Sequence, residues 1–471
     1  MTSPGISADP RASWQALLPS TSRALDHRVA LAQAQGRAPS VVAAVVRDGE
    51  IVWEGAATSV DGHGPDGDVQ YRVGSITKTF TAVLVMRLRD EGLLGLGDPV
   101  EKHLPGTGLG EVTVGQLLAH TGGLAAETPG AWWERTPGSE RPTLAHVLGE
   151  EPFLHPVGRR HHYSNPGYTV LGALVEKLRG APWEDVLRRE VLEPLGLTRT
   201  SAQPQPPAAG GWAVHPWADV MMPEQVEDLG LMAPAGQLWS TTRDLARFAV
   251  FLAQGDDRVL SAATVREMRA PAAPAEDGDW EGGYGLGVQL FRRGGRTLAG
   301  HSGSLPGFLA CMVFSVDEGL AAIALANCTS GPQIGGLAAE LVGIVADAEP
   351  RFPEPWRPMD EVDAQVLELA GPWYWGTAGF GLRVLADGIE LAPLQGKGRS
   401  ARFRAEDDGT WTGLGGYYAG ETLRAVRRPD GTVSHLDLGS FVFTREPYDV
   451  SAPVPGGVHP EGWRGLKQLG E

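Results

Sequence analysis

The chain is poor in cysteine: 471 residues hold two, Cys311 and Cys328. Two thiols in a chain of this length make no disulfide framework, and both read as small buried apolar side chains. Long apolar runs are missing as well. No stretch of about 18 apolar residues occurs, so no membrane-spanning helix is expected. Positive charge is scarce beside negative, with 40 Lys and Arg against 57 Asp and Glu and a formal charge of −17. That balance argues against nucleic acid and anionic membrane surfaces as partners. Phosphate-binding and dinucleotide fingerprints are absent, and so is H-E-x-x-H or any Cys/His ligand spacing. His155, His161 and His162 are neighbours in sequence but lack a metal-ligand pattern. No cofactor and no metal are expected. The first ten residues carry neither a basic nor an apolar segment; without a secretory signal the expected compartment is the cytoplasm.

What is present is an ordinary folding composition, 42% hydrophobic, in a chain long enough for two or three domains. Residues 11–36 read as an amphipathic helix. Ser40–Val46 and Ile51–Gly55 read as two strands around the turn Arg47-Asp48-Gly49-Glu50, and 61–67 as a loop. From about 80 to 250 the pattern is mainly helical. Strands return at 285–291, 297–300, 308–316 and 320–327, followed by helical spacing at Ile334, Leu337, Ala338, Leu341 and Val345. The expected fold is therefore mixed α+β: an antiparallel sheet built from both ends of the first 350 residues, flanked by helices, with a helical subdomain inserted. Arg351–Pro358 is proline-rich and marks a boundary between domains 1–355 and 356–471. Beyond it, three Asp-Gly turns, at 387–388, 408–409 and 430–431, punctuate short β-runs over 365–448. This reads as a small antiparallel barrel or sandwich, with a Gly/Pro-rich tail from Ser451.

The chemistry concentrates in three places. Ser75 stands three residues before Lys78, at the head of a run (Phe80 to Leu88) that is apolar on almost every face. Such a run is a buried helix, and residues at i and i+3 share a face of it. Burial, the positive helix end and a scarcity of nearby carboxylates would each disfavour a charged Lys78. A neutral lysine can serve as general base for a serine nucleophile, so Ser75 and Lys78 are a candidate catalytic pair. Tyr163-Ser164-Asn165 precedes another helical apolar run. Tyr163 could shuttle a proton, and Asn165 could meet a substrate amide. Gly300-His301-Ser302-Gly303-Ser304 lies on or beside a strand, where small residues allow close backbone approach. The backbone N–H groups of Ser75 and Ser304 could together hold an oxyanion, with His301 facing the tyrosine and a substrate carboxylate or carbonyl.

S-x-x-K, Y-x-N and H-x-G in this order resemble the serine hydrolases of the penicillin-binding-protein and class C β-lactamase type. Leu117–Leu124, Glu193–Leu197, Pro234–Thr241 and Tyr284–Gly287 look like landmarks of the same family, and the resemblance spans roughly residues 25–350. It implies a β-lactamase-like catalytic domain and acylation of Ser75 assisted by Lys78 and Tyr163. It also implies an oxyanion site at the Ser75 and Ser304 amides, with Asn165 and Gly303 lining the substrate. Penicillinases of this fold carry K-T-G where this chain has His301-Ser302-Gly303. A histidine is largely neutral near pH 7 and a weak anchor for a β-lactam carboxylate. The position looks like that of the family's esterases, D-aminopeptidases and related peptidases. The second domain is similar to lipocalin-like appendages of some members. The implied partner is a small-molecule or peptide substrate, and the acyl group would pass to water or, as in trans-acting peptide cyclases, to an amine; a receptor that is acylated without turnover is the remaining alternative. Oligomeric state is left open.

Overall fold

The computed structural model describes residues 16–60, 66–137, 142–274, 282–351, 355–396, 398–447 and 453. The expected loop at 61–67 and the tail from Ser451 lie mostly outside the described residues. The chain divides into two compact units, Met1–Phe352 and Pro353–Glu471.

The first unit is organised on one eight-stranded antiparallel sheet. Its strands in chain order are β1 (Ser40–Arg47), β2 (Glu50–Thr58), β3 (Ala273–Pro274), β4 (Gly282–Tyr284), β5 (Gln289–Arg293), β6 (Arg296–Leu305), β7 (Phe308–Ser315) and β8 (Leu320–Ala326). In space they run β2-β1-β8-β7-β6-β5-β4-β3. All eight residues of β1 and all seven of β8 are buried. Side chains alternate between faces along a strand, so a strand buried throughout needs cover on both sides. The two cores show this alternation. Val42 and Val46 of β1, with Met312 and Phe314 of β7, join one core. Val41, Ala43 and Val45, with Cys311 and Val313, join the other. Helices α1 (Pro19–Gly36) and α5 (Ile334–Ala348) cover the second face. The first face carries α2 (Ile76–Asp90), α3 (Asn165–Arg179) and α4 (Thr242–Gln254) within the inserted helical region. Among the described residues, no helix is long and apolar enough to cross a membrane. Cys311 and Cys328 are both buried free thiols.

Of the run expected as a strand at 285–291, only the part from Gln289 is strand, the start of β5; residues 285–288 form the bend that separates it from β4. Gly287 explains the break: its φ is +78°, and a Cβ there would collide with the Cβ of Ala82 on α2. β6 is longer than the 297–300 expected and runs through His301, Ser302, Gly303 and Ser304.

The second unit is a meander of eight antiparallel strands from Gly371–Trp375 to Phe441–Phe443, each paired with its neighbour in sequence. Tyr374 and Thr444 exchange backbone hydrogen bonds of 2.7 and 2.8 Å, bringing the last strand back to the first. The result is a nearly closed barrel, which leaves little unpaired edge. Its interior is filled by Trp373, Leu382, Ile389, Phe403, Leu423, Leu436 and Phe443.

Candidate active site

Helix α2 is buried along almost its whole length, from Ile76 to Leu88. Ser75 is its N-cap residue, but the side chain makes no capping hydrogen bond. The hydroxyl instead accepts from Lys78 Nζ at 2.9 Å. Lys78 Nζ also donates to the Ala235 carbonyl at 2.7 Å. Its side chain is fully buried, and burial pulls the amine down from its ordinary value to about 7. Glu127 and Glu134 act in the opposite direction, so the expected scarcity of carboxylates around Lys78 is corrected: two stand near it. An amine that is partly neutral near pH 7, 2.9 Å from a hydroxyl, is placed to accept its proton.

Tyr163 lies over this pair. Lys78 Nζ is 4.9 Å from its ring centroid. Burial raises the phenol well above its ordinary range, and a hydrogen bond with Ser75 pulls the other way. The ring is held from behind by His120, at 4.2 Å between centroids. His120 Nδ1 accepts the backbone N–H of Ser164 at 3.0 Å, which fixes the residue after Tyr163. Burial keeps the His120 ring neutral.

Gly74 and Gly303 allow strand β6 to press against the turn that carries Ser75. A Cβ on Gly74 would lie 2.8 Å from Ser304 N, and one on Gly303 would lie 3.0 Å from Ser75 N. The φ of Gly74 is +51°, a conformation that L side chains seldom adopt. The backbone amides of Ser75 and Ser304 are thereby brought to one place. Ser302 N–H donates to the side chain of Gln289 at 2.9 Å, on the edge of β6 beyond its pairing with β5. N–H groups two residues apart on a strand point to the same edge, so that of Ser304 faces the same open side.

A cleft of about 660 Å³ opens in front of Ser75, lined by Tyr163, Asn165, Ser302, Gly303 and Ser304 among others. Glu127, Glu134 and Gln289 also line it. Asn165 is the first residue of α3; its Nδ2 donates to Glu127 Oε1 at 2.7 Å. Glu127 Oε2 accepts from Trp133 Nε1 at 2.7 Å, and Glu134 Oε2 from Trp132 Nε1 at 2.8 Å. Burial raises the Glu134 carboxyl, and the hydrogen bond from Trp132 and the charge of Arg72 work against that rise.

His301 lies on β6 and near Tyr163, as expected from the sequence, but not on the surface of the cleft. It is fully buried and absent from the cleft lining. Nε2 meets the Tyr284 hydroxyl at 2.9 Å and Nδ1 the Ser302 carbonyl at 2.6 Å. Burial and the neighbouring Lys78 drive its ring down to about 3, so it is neutral. Its ring centroid is 6.3 Å from that of Tyr163, and, buried there, it is not among the residues that line the cleft.

The β-lactamase family profile matches residues 23–347. The chain belongs to the β-lactamase family. This family is one of serine hydrolases, and the match takes in every cleft residue named above. A second profile, a domain of unknown function designated DUF7586, matches residues 362–445 of this β-lactamase-family chain. Penicillin-binding protein 4 of Amycolatopsis lactamdurans is 29% identical over 368 residues, 71% of this chain and 93% of that protein. Other relatives are matched over about half their own length, 49% for Beta-lactamase-like protein 2 of Dictyostelium discoideum. Among solved structures, a D-stereospecific amidohydrolase from a Streptomyces species superposes with a TM-score of 0.59 at 29% identity, covering 70% of this chain and 99% of that one. SurE superposes with a TM-score of 0.58 at 27% identity, covering 91% of this chain and 99% of that one.

Sequence reasoning missed Glu127, Glu134, Gln289 and the contact of His120 with Tyr163. Glu127 stands in a loop and Glu134 in a single 3-10 turn, Trp133–Arg135, both too short to leave a periodicity to read. His120 left one signal, its place inside the Leu117–Leu124 landmark, without a hint of what it touches.

Proposed function

We propose that the chain is an acyl-serine hydrolase that cleaves amide or ester bonds in small substrates carrying a free amine. The observation that carries this reading is the 2.9 Å contact between Lys78 Nζ and Ser75 Oγ at the head of α2, opening on the cleft. Lys78 takes the proton from Ser75 as Oγ attacks the substrate carbonyl. The Ser75 and Ser304 amides receive the negative charge on the carbonyl oxygen. Tyr163 passes a proton to the departing amine or alcohol, leaving an acyl ester on Ser75. Water, or a second amine, then attacks that ester and returns the proton by the same route.

The free amine follows from the charges on the walls. Glu127 and Glu134 line the cleft, while among the described residues its lining includes no Lys, Arg or His. Carboxylates in that position attract an ammonium and repel an anion. A D-stereospecific amidohydrolase among the structural neighbours supports the same choice of bond. His301, neutral and sealed, gives a β-lactam carboxylate nothing to pair with.

A fluorophosphonate probe and a panel of D-amino acid amides, short-chain esters and peptidyl thioesters test the reading. Sustained turnover that disappears in Ser75→Ala supports it. A single stoichiometric burst would instead describe a receptor, and no labelling at all would remove Ser75 from the chemistry. Adding a competing amine and analysing products separates hydrolysis from acyl transfer.

A further inference from the structure

Pairing between β5 and β6 stops at Gly300 and Gln289. One pleat further, Ser302 offers two donors on the open edge, and both end on the same atom. Its N–H donates to Gln289 Oε1 at 2.9 Å and its Oγ–H at 3.1 Å. Two donors converging on one oxygen is the arrangement that binds one oxygen of a carboxylate. Here the oxygen is supplied by the chain itself, from a residue that lines the cleft alongside Ser302 and Ser75.

We propose that Gln289 is a built-in pseudo-ligand. It fills a carboxylate-binding position at Ser302 and so excludes substrates that end in a free carboxylate at that distance from the scissile bond. The inference rests on the proposed placement of the substrate carbonyl at the Ser75 and Ser304 amides. Ser302 is two residues from Ser304, about 7 Å along a strand. A substrate group one residue removed from the reacting carbonyl therefore falls beside it. To bind there, an anion must displace the glutamine oxygen and gains no cation, since the described lining of the cleft offers none. A neutral amide or ester end does not need those donors and can lie along the edge without disturbing them. Gln289 thus sets what may follow the scissile bond, as Glu127 and Glu134 set what precedes or flanks it.

The test is a ratio of affinities. D-Phenylalanylglycine and D-phenylalanylglycinamide differ only in the terminal carboxylate. Their Kd values are measured by calorimetry in Ser75→Ala and in Ser75→Ala with Gln289→Ala, so that turnover does not intrude. In the first protein the amide binds more tightly. In the second the ratio moves toward the acid by about tenfold, the scale of a hydrogen bond to a charged group. Gln289→Leu, close to glutamine in volume but lacking the oxygen, is expected to move it the same way, and Gln289→Glu, which keeps an acceptor there, is not. A merely structural role for Gln289 would weaken both ligands in parallel. A ratio that stays put, a shift toward the amide, or an acid that still fails to bind after the substitution overturns the proposal. Fluorophosphonate labelling of the unsubstituted chain reports on Ser75 separately. Labelling with an unmoved ratio defeats only the role of Gln289; a moved ratio without labelling defeats only the hydrolase reading.

Discussion

Behind Ser75 the ionisable groups are sealed. Lys78, His120 and His301 are each at most 2% exposed, and burial drives all three toward their neutral forms. In front of Ser75, Glu127 is exposed and Glu134 half-buried, and each is tied to a tryptophan indole. One side is electrically quiet, and the other presents two carboxyl groups to the cleft. Desolvation decides the first; on the second, burial acts on Glu134 as well, while Glu127 is exposed. A base that must give and take a proton near pH 7 needs the quiet side, and selection of a cationic substrate needs the other.

Removing the working group of the sealed side has the largest effect. Lys78→Ala is expected to lower kcat by about a thousandfold, and Tyr163→Phe by about a hundredfold, the range seen for positioned acid–base groups. Thermal midpoints close to that of the parent would show that the loss is chemical. Retained activity in both variants would break the proton-transfer scheme. The anionic side yields a smaller and more selective change. Glu127→Gln should raise KM for amino-acid amides about tenfold, on the scale of a lost charged hydrogen bond, and leave their N-acetyl counterparts unmoved. An equal rise for both classes would mean that Glu127 shapes the cleft and does not read an amine.

A pH profile couples the two sides. The base form of Lys78 is the active one, so kcat/KM should climb with pH through about 7. Both carboxylates favour the ammonium form of Lys78, so a Glu127→Gln, Glu134→Gln double variant should shift this limb to lower pH. A limb that stays in place would uncouple the walls from the base. The smallest effect is on stability. Lys78 titrates near 7 when folded and at its ordinary 10.5 when unfolded. Between those values the unfolded chain binds more protons, so stability rises with pH across that window. Lys78→Met should flatten that portion of a denaturant-midpoint profile.

The repeated elements of the fold were legible in the residues. The apolar run from Phe80 to Leu88 announced a buried helix with Ser75 and Lys78 at its head, and the structure places them so. The alternating turns beyond residue 365 announced the barrel. What escaped depends on contacts between segments. Gln289 reads only as one polar residue in a strand, and its partner Ser302 is thirteen positions away. Glu127 becomes a cleft wall because Asn165 and Trp133 fold onto it. His301 was legible as a strand residue but not as a buried one, since which face of β6 looks inward is settled by Tyr284 on β4.

One feature of the sheet bears on how the molecule is made. Strand β1 pairs with β8, joining Val41 to Ala326 and Arg47 to Leu320. A nascent chain leaving the ribosome therefore holds β1, apolar in six of its eight residues and already able to pair with β2, for roughly a quarter to one minute, at about 5–20 residues per second, before β8 is synthesised for its other edge. The sheet of the first unit can therefore close only after β8 has emerged, late in the synthesis of that unit.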